Sequence, residues 1–176
     1  RGIDIRDVNS ENPGASNVTL TMGLKWGIVV FFLDVLKGFV PVFIIRLLYP
    51  DQDILWILAG FCALLGHAFP IYYKFKGGKG TSTYMGVVFG AFPIVGAILF
   101  VTLIATTLIS DYIVVGTVFL IVPVPIYMII SGEFHWISIV LIIVFAIINL
   151  SKHSNNFVAL VQGKEKKVLA SLKKKT

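Results

Sequence analysis

Residues 81–109 read TSTYMGVVFGAFPIVGAILFVTLIATTLI, and how this stretch divides decides the fold. No charged residue interrupts it. As one helix it would cross a membrane once. Split at Pro93 it supplies two segments, Thr81–Phe92 and Pro93–Ile109. Proline lacks a backbone donor and pushes the residue before it out of helical conformation, so the split is the expected reading. Thr81–Phe92 is then too short to cross ~30 Å of hydrocarbon alone, unless it lines a recessed cavity or the membrane is locally thin. Broken helices at depth are tolerated where they line a protein cavity.

Further spans lie on either side. Trp26–Leu48 is apolar around Asp34 and Lys37, and Ile54–Tyr73 follows after the turn Tyr49–Asp53. Tyr112–Ile130 contains Pro123 and Pro125, and Phe134–Leu150 is the last apolar run. The expected fold is an all-α integral membrane protein, a polytopic helical bundle of about six membrane segments with short or broken helices. It reads as a single domain over 1–176. A polar segment covers 1–25, the membrane segments 26–151 with a loop at 74–80, and a basic tail 152–176.

Composition agrees. The chain of 176 residues is 57% hydrophobic and 14% charged, with a mean hydropathy of +0.90. A soluble domain is about half apolar and about a quarter charged. The net charge is +6, and seven of the fifteen Lys and Arg lie in Lys152–Thr176. In so apolar a chain this favours anionic lipid headgroups or an anionic substrate over nucleic acid. The single cysteine, Cys62, excludes an internal disulfide and a multi-cysteine metal site, and reads as a small buried hydrophobe. No metal cluster, cofactor or signal peptide is expected.

Lysines set orientation. Lys74, Lys76 and Lys79 mark one loop as cytoplasmic, and the tail should share that side. An even number of crossings must then separate Gly80 from Lys152, which the split at Pro93 provides. Arg1–Lys25 falls on the same side. The opposite turns are expected to carry Asp51, Asp53 and Asp111. His135, beside Trp136, reads as interfacial.

Several polar residues could carry chemistry. Gly66–Thr83 reads GHAFPIYYKFKGGKGTST. Glycines permit positive φ and close backbone approach, and successive N–H groups can form an anion nest. Thr81 begins a helix whose N-terminus also favours phosphate. Lys76, Gly77, Gly78, Lys79, Gly80 and Thr81 are therefore candidates, against the plainer reading of a lysine-anchored loop. It is not a nucleotide-binding P-loop, because Gly80 stands where Ser or Thr must follow the lysine. His67 supports the loop or touches substrate. Ser10, Asn12, Gly14, Ser16 and Asn17 cluster around Pro13 and offer uncharged donors, or form a turn and helix cap. Asp34 and Lys37 share a helix face and read first as a structural pair. His153 and Asn156 are three apart at the exit of the last span. Lys164, Lys166, Lys167 and Lys173–Lys175 suit anionic lipid.

Together these segments resemble the bacterial membrane acyl-phosphate:glycerol-3-phosphate acyltransferases, across essentially the whole chain. Arg1–Arg6 with Ser10–Asn17 is similar to that family's GIDIR and SGNxGATN. Gly66–Gly80 matches GHxFPxFxxFKGGKG almost residue for residue. His153, Asn156, Leu160, Gly163 and Glu165 match HxxNxxRLxxGxE, and Asp34, Lys37 and Gly38 fit DVxKG. Glu11, Ala159 and Asp111–Val114 depart from the pattern. Members carry seven segments, one of them ahead of the first motif. The resemblance implies catalytic roles for His153, Asn156 and Lys79, and substrate binding by the Ser10–Asn17 and His67–Thr81 candidates. It implies acyl phosphate and glycerol 3-phosphate as substrates, lysophosphatidic acid and phosphate as products, and a bacterial plasma membrane with the site on the cytoplasmic side. Such a donor is already activated, so no serine or cysteine nucleophile is needed. The base could be His153 or the leaving phosphate. The departures leave an impaired paralogue acting as a membrane partner as an alternative, and a small-anion transporter as a weaker one.

Overall fold

The computed structural model describes residues 4–169. Arg1–Ile3 of the first motif and Lys173–Lys175 of the tail lie outside that range. Among the described residues the regular structure is helical: α1 (Ala15–Met22), α2 (Leu24–Leu48), α3 (Asp53–Ala68), α4 (Thr81–Ala91), α5 (Pro93–Ser110), α6 (Ile113–Ile121), α7 (Pro123–Ser131), α8 (Trp136–Lys152) and α9 (Ser154–Val161). Short 3-10 turns occupy Ile5–Asp7 and Ile71–Tyr73. Four segments are long and apolar enough to cross a bilayer, Leu24–Leu48, Asp53–Tyr73, Pro93–Ser110 and Ile113–Ser131; α8 and α9 make a fifth across a 52° bend. Outward residues are apolar, with Leu47 70% and Ile109 86% exposed. In water such a surface would be a liability, whereas lipid is its natural solvent.

The break at Pro93 is present. Phe92 takes φ −139° and ψ 75°, and Pro93 opens α5. The eleven residues of α4 span only ~16 Å at 1.5 Å per residue. Eight of them are buried, from Thr83 to Ala91, so this short helix is enclosed by protein rather than lipid. The expected six segments thus become four or five crossings and one buried half-length helix.

Packing divides the chain into a unit up to Ala91 and a unit from Phe92 onward. In the first, α2 and α4 pack through glycines. A Cβ on Gly38 would collide with the Thr83 carbonyl, and one on Gly86 with the Val35 carbonyl. Such small residues let two backbones approach closely where no hydrophobic effect drives association. A Cβ on Gly27 would likewise strike Thr19, which seats α1 against α2.

In the second unit the rings of Phe92, Tyr127 and Phe134 cluster, with Phe92 5.6 Å from Tyr127 and 5.3 Å from Phe134. The start of α5, the end of α7 and the turn before α8 therefore share one end. The other end corrects an expectation. Asp111 was placed opposite the tail, but its carbonyl accepts from Val168 N (3.0 Å) and its Oδ1 from Leu169 N (2.8 Å). The α5–α6 turn and the tail lie together, as three antiparallel passes after Phe92 require. A second correction concerns Cys62, which is exposed. In a membrane helix a small apolar thiol can face lipid as readily as protein.

Candidate functional site

The first unit holds a cavity of about 750 Å³. The N-terminal segment contributes Asp4, Ile5, Arg6 and Pro13, and α1 contributes Val18 and Met22. From α2 come Trp26, Val30, Asp34 and Lys37, spaced by four, four and three residues and so on one helical face. The end of α3 and the segment after it complete the wall with His67, Pro70, Tyr72, Tyr73, Gly77 and Gly78. One face of α2 therefore runs from apolar to charged along the cavity.

Charge is organised in two groups. At one, Asp4 grips Arg6 through both carboxylate oxygens. Arg6 Nε lies 2.9 and 3.1 Å from them, Nη2 lies 2.5 Å from Oδ2, and Arg6 N donates to Oδ1 at 2.9 Å. The side-chain bonds from Arg6, then its backbone N–H, hold the Asp4 carboxyl down at about 2 and in turn raise the guanidinium. The guanidinium sits 4.8 Å from the centre of the Tyr73 ring, a cation–π contact joining the N-terminal segment to the segment after α3. At the other, Asp34 Oδ1 lies 2.5 Å from Lys37 Nζ and 3.6 Å from His67 Nδ1. Asp34 and His67 are nearly enclosed, whereas the Lys37 side chain is 43% exposed. A carboxyl group enclosed at this depth needs such partners.

His67 also carries the lysine-glycine loop. Its carbonyl accepts from Gly78 N at 3.2 Å. A Cβ on Gly78 would run into the imidazole, and one on Gly77 into the His67 carbonyl and Pro70. These two glycines are needed for close approach rather than for positive φ. Within the loop, left-handed backbone falls on Lys74 (φ 50°), Phe75 (φ 63°) and Gly80 (φ 93°). Gly80 O accepts from Tyr84 N at 2.8 Å and closes the first turn of α4, which begins at Thr81. Lys76 is exposed and Lys79 is partly buried.

The expected residues are therefore distributed unevenly. His67, Gly77 and Gly78 line the cavity; Lys76, Lys79, Gly80 and Thr81 continue the same loop beyond its lining. In the first segment Asn12 Oδ1 accepts from Gly14 N (2.9 Å), and Gly14 caps α1. Asn17 is buried, donates to the Ile5 and Val8 carbonyls (2.8 and 3.0 Å), and receives Ser10 N at 3.4 Å. Those two amides brace the segment that presents Arg6. Ser10 and Ser16 are exposed. Asp4, Arg6, Asp34, Lys37 and Tyr73 were not among the expected site residues. The signal for four of them was present in GIDIR and DVxKG; Tyr73 gave none.

In the second unit His153 joins α8 to α9, and its buried ring places Nδ1 2.9 Å from the Asn149 carbonyl. That contact fits an Nδ1–H donor and makes Nε2 the basic nitrogen of the neutral ring. Asn156 Nδ2 donates to Glu165 Oε1 at 2.7 Å, while Lys164 N and Glu165 N both reach the Ala159 carbonyl. This third motif folds back on itself after α9.

Comparison with known proteins agrees with this picture. A family model described as glycerol-3-phosphate acyltransferase matches residues 1–163. The chain is 33% identical to a glycerol-3-phosphate acyltransferase of Aquifex aeolicus over 94% of its own length and 85% of that protein's. It is 38% identical to one of Lawsonia intracellularis, with 94% and 82% covered. The crystal structure of PlsY (YgiH), an integral membrane glycerol 3-phosphate acyltransferase, in its glycerol 3-phosphate form superposes with a TM-score of 0.88 at 32% identity, covering 94% of this chain and 82% of that one. Its lysophosphatidic acid form gives 0.83 at 32% identity, covering 93% and 84%. A cavity lined by two charge pairs and a histidine among apolar helices, with the sequence matched over nearly its whole length, places this chain in the glycerol-3-phosphate acyltransferase family.

Proposed function

We propose that this protein transfers an acyl group from acyl phosphate to the 1-hydroxyl of sn-glycerol 3-phosphate, at the cytoplasmic face of a bacterial plasma membrane. The observation that carries this reading is the cavity itself. It places a held arginine, Arg6, and the His67–Gly78 loop at the charged part of a chamber whose other wall, Met22, Trp26 and Val30, is apolar. A phosphorylated polyol and an acyl chain need such unlike surroundings side by side.

The hydroxyl oxygen attacks the acyl carbon, the bond from that carbon to the phosphate oxygen breaks, and inorganic phosphate leaves with the electron pair. The hydroxyl proton passes to the phosphate or to His153 Nε2. The donor is an activated anhydride, so the protein's part is to hold two phosphates, align the hydroxyl and stabilise the oxyanion. Arg6, Lys76 and Lys79 supply positive charge for phosphate oxygens. Gly77, Gly80 and Thr81 bring backbone N–H groups, and Gly78, whose N–H is taken by the His67 carbonyl, brings the close backbone approach that a side chain would block. Ser10, Asn12, Gly14, Ser16 and Asn17 shape the segment beside them, and His153 and Asn156 take catalytic roles. Lys164, Lys166 and Lys167 face anionic headgroups.

The test is purified protein in detergent or vesicles with a long-chain acyl phosphate and glycerol 3-phosphate, following phosphate and lysophosphatidate. One phosphate per lysophosphatidate is expected, with no product from an acyl thioester. Turnover of the thioester alone would overturn the donor assignment. Absence of product from either donor would overturn the enzyme reading.

A further inference from the structure

Asp34 is the eleventh residue of α2, and within that helix its carboxylate pairs with Lys37. Its position makes a second connection. The same Oδ1 that holds Lys37 lies 3.6 Å from His67 Nδ1, on α3. His67 in turn accepts a hydrogen bond from Gly78 N, and its ring and carbonyl leave no room for a Cβ on Gly78 or on Gly77. The carboxylate is thus linked to the phosphate-handling loop through one imidazole, and all four residues line one cavity.

We infer that Asp34 is a positioning residue, which orients His67 and through it fixes where the Gly77–Gly78 backbone meets the phosphate of glycerol 3-phosphate. This rests on the acyltransferase reading and on the loop's role in it. A carboxylate oxygen 3.6 Å from Nδ1 draws the imidazole toward it and so biases the ring's tilt, as acidic partners do for histidines in other sites. Away from Asp34, the ring's Nε2 and Cε1 leave no room for a side chain at Gly78. If the ring tilts, the glycine backbone loses its support, and the turn that brings Gly77 to the cavity shifts with it. Lys37 Nζ, 2.5 Å from the same Oδ1, holds that carboxylate from the other side.

The test is kinetic, in the full-length protein with acyl phosphate saturating. Asp34→Asn should raise KM for glycerol 3-phosphate about fivefold while kcat changes far less, because the acceptor is held less well but reacts by the same route. His67→Asn should do the same, and the double substitution should be no worse than His67→Asn alone. Additive effects of Asp34→Asn and His67→Asn would overturn the inference, as would a loss confined to kcat. If Asp34→Asn fails to accumulate, Asp34→Asn with Lys37→Met removes both charges together and carries the same test in the same His67 cycle. Lys79→Ala separates the two readings. If it raises KM and Asp34→Asn does not, the loop handles phosphate and only the inference fails. If wild-type protein turns over but neither Lys79→Ala nor Asp34→Asn moves KM, the loop's role fails with it.

Discussion

The motif side chains of the two units differ in how far along the chain they reach. Up to Ala91, side chains from distant positions meet: Arg6 on Tyr73, and Asp34 with His67. From Phe92 onward the motif residues tie near neighbours, His153 to Asn149 and Asn156 to Glu165. The first arrangement depends on how helices are packed, and the second on how one segment is wound. A packed network should therefore be fragile to changes far from it, whereas a wound motif should be fragile only to changes within it.

Substitutions can break that contrast, and the largest effect is expected at the α2–α4 contact. A Cβ on Gly86 has no space before the Val35 carbonyl, and the Phe39 N is 2.8 Å away. Gly86→Ala should cost about 3 kcal/mol, near the top of the range for overpacking, and collapse the cavity with it. The matched change in the second unit is Gly116→Ala. There a Cβ first meets the Thr107 hydroxyl, which can rotate, although the Leu103 carbonyl is only 2.7 Å away. Thermal unfolding in detergent should show the smaller loss for Gly116→Ala, and equal losses would erase the distinction.

Next in size is the wound motif. Glu165→Ala removes the acceptor of the Asn156 amide without touching Asn156 itself. A hydrogen bond to a charged group contributes about 1.5–3 kcal/mol, so hydrogen exchange should speed up locally at Gly163–Glu165 while the first unit keeps its protection. A decrease in kcat in parallel would tie the winding to catalysis. Loss of protection in α2 or α4 would contradict the local character of this motif.

Smaller still is Asp4→Asn. It frees Arg6 from one of its two supports and should raise KM for glycerol 3-phosphate by about threefold. Because Asp4 titrates near 2, below its ordinary 3.8, its bond to Arg6 is fully present above the ordinary value and is lost only as pH falls through the folded one. The pH profile of KM should therefore contain no acid limb from Asp4 between about pH 5 and 9. Smallest is Cys62→Ala, on an exposed face, which should stay within about 0.5 kcal/mol of the parent. A thiol reagent that partitions into lipid should label Cys62 in the folded protein.

Much of this was legible in the amino-acid order. Pro93 announced the break, and the glycines and lysines of residues 74–80 announced the loop. What was not legible depended on distance in space. Asn12 and Asn17 looked like donors for a ligand, yet their partners are the backbone of their own segment, which spacing does not reveal. Asp111 looked like an outer turn, because acidic turns lacking lysine favour that side; its bonds to Val168 and Leu169 could be seen only once the chain had folded back. Ala68 ended α3 earlier than the apolar run suggested, because hydrophobicity continues through Phe69–Tyr73 while the helix does not. Arg6 and Lys37 read as parts of motifs and not as one chamber, since nothing in sequence spacing joins residue 6 to residue 37.

The pairing of Asp34 with Lys37 also bears on how the protein is made. The two charges stand one turn apart on the same helix, so α2 contains its own counter-ion before any later helix has been synthesised. A segment with a lone aspartate at that depth would resist entry into the bilayer, and one that is self-neutralised resists less. His67 arrives afterwards with α3 and approaches an oxygen already in place. The order of synthesis is thus the order of assembly: the membrane accepts α2 before α3, and the later helix sets the loop on a foundation that is already built.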